Sequence, residues 1–218
     1  MGFVRSFVSC RAPALCLALL LPVGWAGAQE PAVLAGEALV EALRAGGYNI
    51  YFRHVATDWS QEDVEQDSDW ASCDARRMRQ LSASGRETAR RIGAAMRALR
   101  IPVGRVLASP YCRTVETAAL MDLGPVSATA DVMNLRVAGH HGGREVIAAR
   151  AQALLAAPPA PGTNTVIAAH GNVALEATGV YPGEGEGIVF APTAGGGFEF
   201  VGRITPAQWQ ALARATAG

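Results

Sequence analysis

The sequence lacks an excess of charge of either sign, and it lacks lysine altogether. Its 19 basic residues are all arginine, and 19 acidic residues balance them. Nucleic-acid binding depends on a concentration of positive charge, so this balance argues against a nucleic-acid partner. We attribute the absence of lysine to genome composition rather than to function. Half of the residues are hydrophobic, which excludes a disordered or collagen-like chain and predicts a sizeable core.

Long apolar runs are missing from the sequence except near its beginning. There, two arginines precede an apolar run from Ala12 to Trp25, and the small residues 26–28 offer a cleavage site. This arrangement is typical of a secretory signal, and the run is shorter than the roughly 20 residues of a membrane-spanning helix. We predict a signal peptide over 1–28, a mature domain over 29–218 with no membrane span, and a periplasmic or secreted location. An uncleaved membrane anchor is the alternative.

Cysteine is scarce, with four residues in the whole chain. Two of them lie within the predicted signal, which leaves Cys73 and Cys112 in the mature domain. An even pair of cysteines in an oxidising compartment is a candidate disulfide. We therefore predict a bridge between them, and two free buried thiols are the alternative.

Short β-prone segments alternate with helical patterns along the mature chain. Strands are predicted over 48–52, 103–108 and 165–169, followed by a hairpin around the glycines of 195–197. Strands that alternate with helices predict an α/β fold with a largely parallel sheet. The segment 57–74 is polar and acidic, has no apolar periodicity, and is predicted to be a surface loop.

A polar motif directly follows each of the three predicted strands. These motifs are Arg53-His54, the residues Ser-Pro-Tyr-Cys-Arg at 109–113, and the residues His-Gly-Asn at 170–172. Ligands bind at the carboxyl ends of strands in open α/β sheets, so the motifs are expected to meet there. Arginine forks bind phosphate oxygens in pairs, and a histidine nitrogen can accept a phosphoryl group. The sequence thus predicts a phosphate site that needs no metal or other cofactor.

The three motifs resemble those of the histidine phosphatase superfamily, also called the phosphoglycerate mutase-like family. The matching segments are residues 52–54, 109–118 and 168–172, and both their order and their spacing agree. The resemblance implies a three-layer α/β/α sandwich with a largely parallel central sheet. The first motif departs from the family pattern, because Val55 stands where a glycine is usual.

The resemblance also assigns roles to individual residues. It implies that His54 is the phosphorylated nucleophile and that Arg53, Arg113 and His170 complete the phosphate pocket. It further implies that Asn172 contacts the substrate.

The family's usual proton donor is absent from both places where it is expected. Val137 and Gly171 occupy those positions. We predict that the donor is Glu186, ahead of Glu184, in the glycine-rich turn that follows the third motif; an exposed acidic turn without a catalytic role is the alternative. Asp58, close to the first motif, is predicted to line the substrate site.

These observations predict an exported phosphomonoesterase, similar to histidine acid phosphatases, that acts through phosphohistidine on His54. The expected partner is a small phosphorylated substrate such as a phosphorylated sugar of the cell envelope. Two alternatives stay open. One is a phosphatase of phosphohistidine proteins, whose better leaving group needs less proton donation, and the other is a non-catalytic phosphate-binding module of the same fold.

Overall fold

The computed structural model describes residues 1–2, 33–64 and 69–216. The predicted signal peptide over 1–28 lies almost wholly outside the described residues, so it stays a prediction. Within the described ranges, no helix combines the length and the apolar character that crossing a membrane requires.

The described residues form a single mixed sheet with helices around it. The strands are β1 (Asn49–Arg53), β2 (Val103–Ala108), β3 (Val126–Ala128), β4 (Asn164–Ala169), β5 (Gly187–Pro192) and β6 (Phe198–Ile204). The α-helices are α1 (Gly36–Ala45), α2 (Ala83–Ala98), α3 (Cys112–Met121), α4 (Arg144–Ala156), α5 (Gly171–Thr178) and α6 (Pro206–Thr216). Two short 3-10 helices, Ala130–Val132 and Leu135–His140, lie between β3 and α4.

The sheet confirms the predicted α/β architecture. Its strand order is β3-β2-β4-β1-β5-β6. The first four strands in this order are parallel to one another, whereas β5 is antiparallel to both β1 and β6. The predicted hairpin is the β5–β6 pair, and β3 was not predicted. With only three residues, none of them fully buried, β3 has too little apolar pattern to be recognised.

Alternate residues of the strands face two separate cores, which makes the fold three-layered. Ile50 and Phe52 of β1 pack with α1, α2, α3 and α6, and the ring of Trp209 lies 6.4 Å from that of Phe52. Tyr51 faces the opposite layer, which α4, α5 and the 3-10 helices cover. Side chains of a strand point alternately to the two faces of the sheet. A strand that is buried on both faces is therefore apolar at every position, as Ile50–Phe52 is.

The parallel pairing brings the three polar motifs to one edge of the sheet. Arg53 at the end of β1 pairs with Ala169 at the end of β4, and Ala108 at the end of β2 pairs with Ala168. One residue further on, the backbone N–H of His54 donates to the carbonyl of Ala169 at 2.9 Å. The residues that follow β1, β2 and β4 therefore project from a common rim.

Residues 57–81, which we call the arm, connect the first motif to α2 and are described over 57–64 and 69–81. The ends of the arm are joined by an antiparallel bridge between Thr57 and Leu81. Its middle is tied to α3 by a disulfide between Cys73 and Cys112, which confirms the predicted bridge. Residues 57–74 of the arm were predicted to be a surface loop, and this is wrong for part of them, because the side chain of Asp63 is buried at the sheet edge.

Close packing of α2 against the first motif depends on a glycine. Ser82 is the N-cap residue directly before α2, and its hydroxyl accepts a hydrogen bond from the backbone N–H of Gly85 at 3.0 Å. A Cβ atom on Gly85 would lie 2.0 Å from the carbonyl oxygen of Ala56. Any larger residue would therefore push α2 away from the loop that carries the first motif.

Candidate active site

A pocket opens where β1, β2 and β4 end. Of the seven residues predicted for the site, Arg53, His54, Arg113, His170 and Asn172 line this pocket. The remaining lining residues are Thr57, Trp59, Asp63, Arg79, Asn134, Arg136, Gly171, Tyr181 and Glu184. Glu186 and Asp58 are not among them. The structure thus brings five of the predicted residues together in one pocket, and their chemical roles stay predictions.

The ring of His54 is held in one tautomer. Its Nδ1 lies 2.9 Å from the carbonyl oxygen of Val55. Since a carbonyl can only accept, Nδ1 must carry the proton, and the lone pair resides on Nε2. Burial, followed by the positive charge of Arg113, lowers the pKa of His54 to about 3, although the hydrogen bond to Val55 opposes this shift. His54 is therefore a neutral imidazole whose Nε2 atom carries no proton.

The second histidine of the pocket, His170, lies edge-on to the first. The ring centroids of His54 and His170 are 5.7 Å apart. The Nε2 atom of His170 lies 2.9 Å from the hydroxyl of Ser109, while its buried Nδ1 has no hydrogen-bond partner among the described residues. Burial and then the charge of Arg113 lower the pKa of His170 well below its ordinary value. If the hydroxyl of Ser109 donates to Nε2, the proton of the neutral ring is on Nδ1, which can then donate a hydrogen bond to an anion.

Charged side chains give the pocket an excess of positive charge. The lining includes the cations Arg53, Arg79, Arg113 and Arg136 and the acids Asp63 and Glu184. With both histidines neutral, the arginines outnumber the acids by two. This excess matches the charge of a phosphate monoester dianion, and phosphate is the anion whose oxygens arginine forks bind in pairs.

Sequence reasoning missed Asp63, which is buried against Arg113. The Nη1 and Nη2 atoms of Arg113 donate to the two carboxylate oxygens of Asp63 at 2.8 and 3.1 Å. The side chains are only 2% (Asp63) and 4% (Arg113) exposed. Burial alone would raise the pKa of Asp63, but the charge and hydrogen bonds of Arg113 and the backbone N–H of Arg79 outweigh burial and hold it below its ordinary value. No spacing signal marked Asp63, because it lies in an irregular acidic segment.

The other pocket acid, Glu184, contacts Arg53. Its carboxylate lies 3.4 Å from Nη2 of Arg53, whose Nη1 donates to the carbonyl of Pro182. The Arg53 guanidinium lies 5.3 Å from the centre of the Tyr181 ring. A Cβ atom on Gly171 would come within 2.9 Å of that ring. Gly171, one of the two positions where an acid was expected, therefore allows the Tyr181 ring to pack closely against it.

The prediction that Glu186 faces the pocket is wrong. Both of its carboxylate oxygens accept hydrogen bonds from Arg203 at 2.6 Å, and one also accepts from the backbone N–H of Gly183. Glu186 directly precedes β5, and Arg203 lies on the neighbouring strand β6, so the pairing of these strands sets the contact. The hydrogen bond from Arg203 lowers the pKa of Glu186 despite its burial. Of the two acids in this turn, Glu184 lines the pocket.

Asp58 does not line the pocket either, contrary to prediction. Its carboxylate accepts hydrogen bonds from the backbone N–H and hydroxyl of Ser60 and from the side chain of Gln61. These are contacts within one turn, which acidic side chains commonly stabilise. Its neighbours Thr57 and Trp59 reach the pocket instead.

Asn172 is held in one orientation beside the pocket. Its Nδ2 donates to the Oδ1 atom of Asn134 at 2.9 Å, and the same Oδ1 accepts from the backbone N–H of Arg136. Since that oxygen is an acceptor in both contacts, the group of Asn172 that faces it must be the NH₂. Val137, the other position where an acid was expected, is a buried apolar residue of the second 3-10 helix.

Comparison with known proteins agrees with this geometry. The sequence model of the histidine phosphatase superfamily (branch 1) matches residues 50–153, which include His54 and Arg113. No curated protein matches the sequence significantly. The structure of the protein histidine phosphatase SixA complexed with tungstate is similar, with a TM-score of 0.50, 15% identity, and coverage of 73% of this chain and 97% of SixA. This likeness supports the fold.

Two further solved structures are similar at the same low level. A mycobacterial glucosyl-3-phosphoglycerate phosphatase complexed with VO3 has a TM-score of 0.49, 14% identity, and coverage of 71% of this chain and 97% of its own. A putative phosphohistidine phosphatase SixA from Agrobacterium tumefaciens has a TM-score of 0.48, 13% identity, and coverage of 74% and 99%. The sequence match over residues 50–153 and the fold are therefore both those expected of the histidine phosphatase superfamily.

Proposed function

We propose that this protein hydrolyses phosphate monoesters through a phosphohistidine intermediate on His54. The match to the superfamily model supports a phosphatase in general. The observation that carries the finer proposal is the state of His54. Its Nδ1–H is bound to a backbone carbonyl, its Nε2 has a lone pair, and it lies in a pocket with an excess of two positive charges. A nucleophile and a cationic cradle for phosphate are thus present together.

The reaction would proceed in two displacements at phosphorus. Nε2 of His54 attacks the phosphorus atom, so that a P–N bond forms while the P–O bond to the leaving group breaks. Water then attacks the phosphohistidine, the P–N bond breaks, and inorganic phosphate leaves. Arg53, Arg113 and His170, which line the same pocket as His54, would stabilise the charge on the phosphoryl oxygens.

The substrate and the location are also part of the proposal. We expect a small phosphorylated molecule, with a phosphorylated envelope sugar as the first class to test. Export rests on the signal predicted over 1–28. The disulfide between Cys73 and Cys112 supports it, since structural disulfides persist mainly in oxidising compartments.

One observation favours a second candidate, a phosphatase of phosphohistidine proteins. Both acids that line the pocket are ion-paired to arginines, Asp63 to Arg113 and Glu184 to Arg53. A substrate with a good leaving group needs little proton donation, and such a substrate would tolerate this arrangement. Phosphohistidine is a substrate of that kind.

The proposal is tested by replacing His54 with alanine and comparing it with His140→Ala. His140 is an exposed histidine outside the pocket, so its variant should keep parental turnover. His54→Ala should lose turnover of every phosphate ester while keeping its fold. A reaction stopped by rapid denaturation should leave an alkali-stable, acid-labile phosphate on the parental protein and none on His54→Ala.

The substrates in this assay separate the competing functions. Turnover of sugar phosphates above that of a phosphohistidine protein supports the first proposal, and the reverse supports the second. Binding of inorganic phosphate with no turnover of any substrate would indicate a phosphate-binding module. Near-parental activity of His54→Ala would rule out the mechanism.

A further inference from the structure

We propose that Arg113 exchanges partners when substrate binds. Its guanidinium turns from Asp63 to the substrate's phosphate, and Asp63 then takes up a proton, which it gives to the leaving oxygen. This inference rests on the proposed phosphatase function. It assigns the role of catalytic proton donor to Asp63. The resemblance to the family leads us to expect this donor at positions 137 or 171, where the chain has no acid.

The first observation is that Asp63 occupies the fork that phosphate would use. Both terminal nitrogens of Arg113 donate to Asp63, one to each carboxylate oxygen. A carboxylate and a phosphate each present a pair of oxygens that fits the same planar fork. A phosphate entering the pocket therefore competes with Asp63 for the same two nitrogens.

The second observation is that Asp63 cannot replace Arg113 with water. Its side chain is 2% exposed, and a buried carboxylate without a cation favours its neutral form. Burial already acts to raise the pKa of Asp63, and the charge and hydrogen bonds of Arg113 provide most of the opposing effect. Once Arg113 turns to an anion, burial and the new negative charge both favour protonation of Asp63.

The other charged groups near Asp63 do not prevent its protonation once Arg113 has turned away. The backbone N–H of Arg79 donates to Asp63, and the guanidinium of Arg79 lies over the exposed ring of Trp59. The charge of Arg79 also lowers the pKa of Asp63, but less than the charge of Arg113 does. Arg136 lies 3.9 Å away with a side chain that is 55% exposed, so solvent screens its charge.

The remaining titratable groups of the pocket are less suited to this role. Arg53 and Glu184 form their own, longer ion pair, and Glu184 is open to solvent that can stabilise its charge. His54 and His170 also line the pocket and are neutral. They are therefore competing acceptors of the proton, and the experiment must separate them from Asp63.

The step balances in atoms and charge. The proton on Asp63 comes from solvent when the substrate binds. It passes to the leaving oxygen as the P–O bond breaks and His54 forms the P–N bond. In the second displacement the Asp63 carboxylate takes a proton from the attacking water, and the hydroxide joins phosphorus as the P–N bond breaks. Release of phosphate lets Arg113 return to Asp63, which gives its proton back to solvent.

The experiment measures proton uptake on binding of sulfate, a dianion that does not itself titrate near neutral pH. Calorimetric titrations at about pH 6, where ordinary carboxyls are ionised, are run in two buffers with different ionisation enthalpies. The parental protein should take up about one proton for each sulfate bound. Asp63→Asn should bind sulfate without this uptake. Glu62→Gln, which changes an exposed acid beside Asp63, should behave like the parent.

Two results of the titration would overturn the exchange. One is sulfate binding by the parent without proton uptake, or no sulfate binding at all. The other is uptake that persists in Asp63→Asn, which would assign the proton to His54 or His170. If Asp63→Asn does not fold, the titration of the parent, with Glu62→Gln as control, still decides whether binding takes up a proton.

Catalysis gives a second readout, which separates a proton donor from a structural residue. Asp63→Asn should slow the hydrolysis of an alkyl phosphate by about 10²–10⁴-fold. It should slow the hydrolysis of a nitrophenyl phosphate far less, because nitrophenolate leaves without a proton. Equal losses on both esters would contradict the donor role. If the parent hydrolyses neither ester, the proposed function fails, whereas the sulfate titration still tests the exchange at Arg113.

Discussion

Cys73 in the arm is joined to Cys112, the first residue of α3, with 5.3 Å between their Cα atoms. The next residue of α3 is Arg113, whose guanidinium binds Asp63 of the same arm. One covalent bond and one buried ion pair therefore fasten the arm to the first two residues of α3. The arm supplies Thr57, Trp59, Asp63 and Arg79 to the pocket, so its attachment bears on both stability and substrate binding.

Removing the disulfide should destabilise the protein and weaken substrate binding. The bridge joins residues 39 positions apart, and a loop of this size is worth about 4 kcal/mol in the chain-entropy model. Urea unfolding of the Cys73→Ser, Cys112→Ser variant should show a loss of that order, and its KM should rise. A reductant should lower the unfolding free energy of the parent and raise its KM in the same way, and it should change neither quantity in the variant. Coincident unfolding curves for oxidised and reduced parent would contradict the prediction.

Arg113→Lys should be severely impaired although it keeps the charge. Lysine loses the planar fork, and the loss of one such transition-state donor typically costs about 3 kcal/mol, or roughly 10²-fold in kcat. The matched control is Arg86→Lys, which changes another arginine fork on a carboxylate, that of Glu116, outside the pocket. Steady-state kinetics of both variants should separate them. Similar small losses would show that Arg113 does not bind the reacting phosphate.

Glu184 and Glu186 should respond differently to the same change. Glu184→Gln removes a negative charge beside Arg53 and should lower KM for a phosphate ester severalfold with little effect on kcat. Glu186→Gln weakens a strand-to-strand ion pair with the half-exposed Arg203, so it should cost about 1 kcal/mol of stability and leave KM unchanged. Parallel measurement of KM and Tm for both variants tests this. A raised KM for Glu186→Gln with unchanged Tm would restore Glu186 to the pocket.

The buried histidines should make the protein less stable as pH falls below the ordinary histidine pKa. The pKa of His54 is about 3 in the folded state and 6.5 in the unfolded chain, so the unfolded state binds the proton first. Its contribution is therefore fully present above pH 6.5 and decreases steadily toward pH 3. At about pH 5 the loss from His54 alone is roughly 2 kcal/mol, and His170 acts in the same direction.

This pH dependence can be measured by urea unfolding between about pH 5 and 7, a range in which ordinary carboxyls change little. A His54→Gln variant should show a shallower decline than the parent, because it has one fewer group that protonates on unfolding. Equal slopes for parent and variant would mean that His54 binds its proton equally in the folded and unfolded states, and that burial does not keep it neutral.

Local patterns in the sequence determined every strand of the sheet except β3, and they determined the five residues that line the pocket as predicted. The apolar run Ile50–Phe52 predicts a strand buried on both faces, and its end places Arg53 and His54. Because parallel strands end at one edge, polar residues after three such strands had to meet. The pairing of Cys73 with Cys112 was equally predictable, since no other cysteine remains in the predicted mature domain.

Tertiary structure alone decided which acids reach the pocket. Glu184 and Glu186 are two residues apart in a turn with no repeating pattern, and the contact of Glu186 with Arg203 depends on how β5 pairs with β6. Asp63 lies in an irregular acidic segment that looks solvent-exposed by composition. It is buried because the disulfide and the bridge between the ends of the arm bring it to Arg113, 50 residues further along the chain. Such contacts depend on chain closure over long separations, which neither composition nor periodicity encodes.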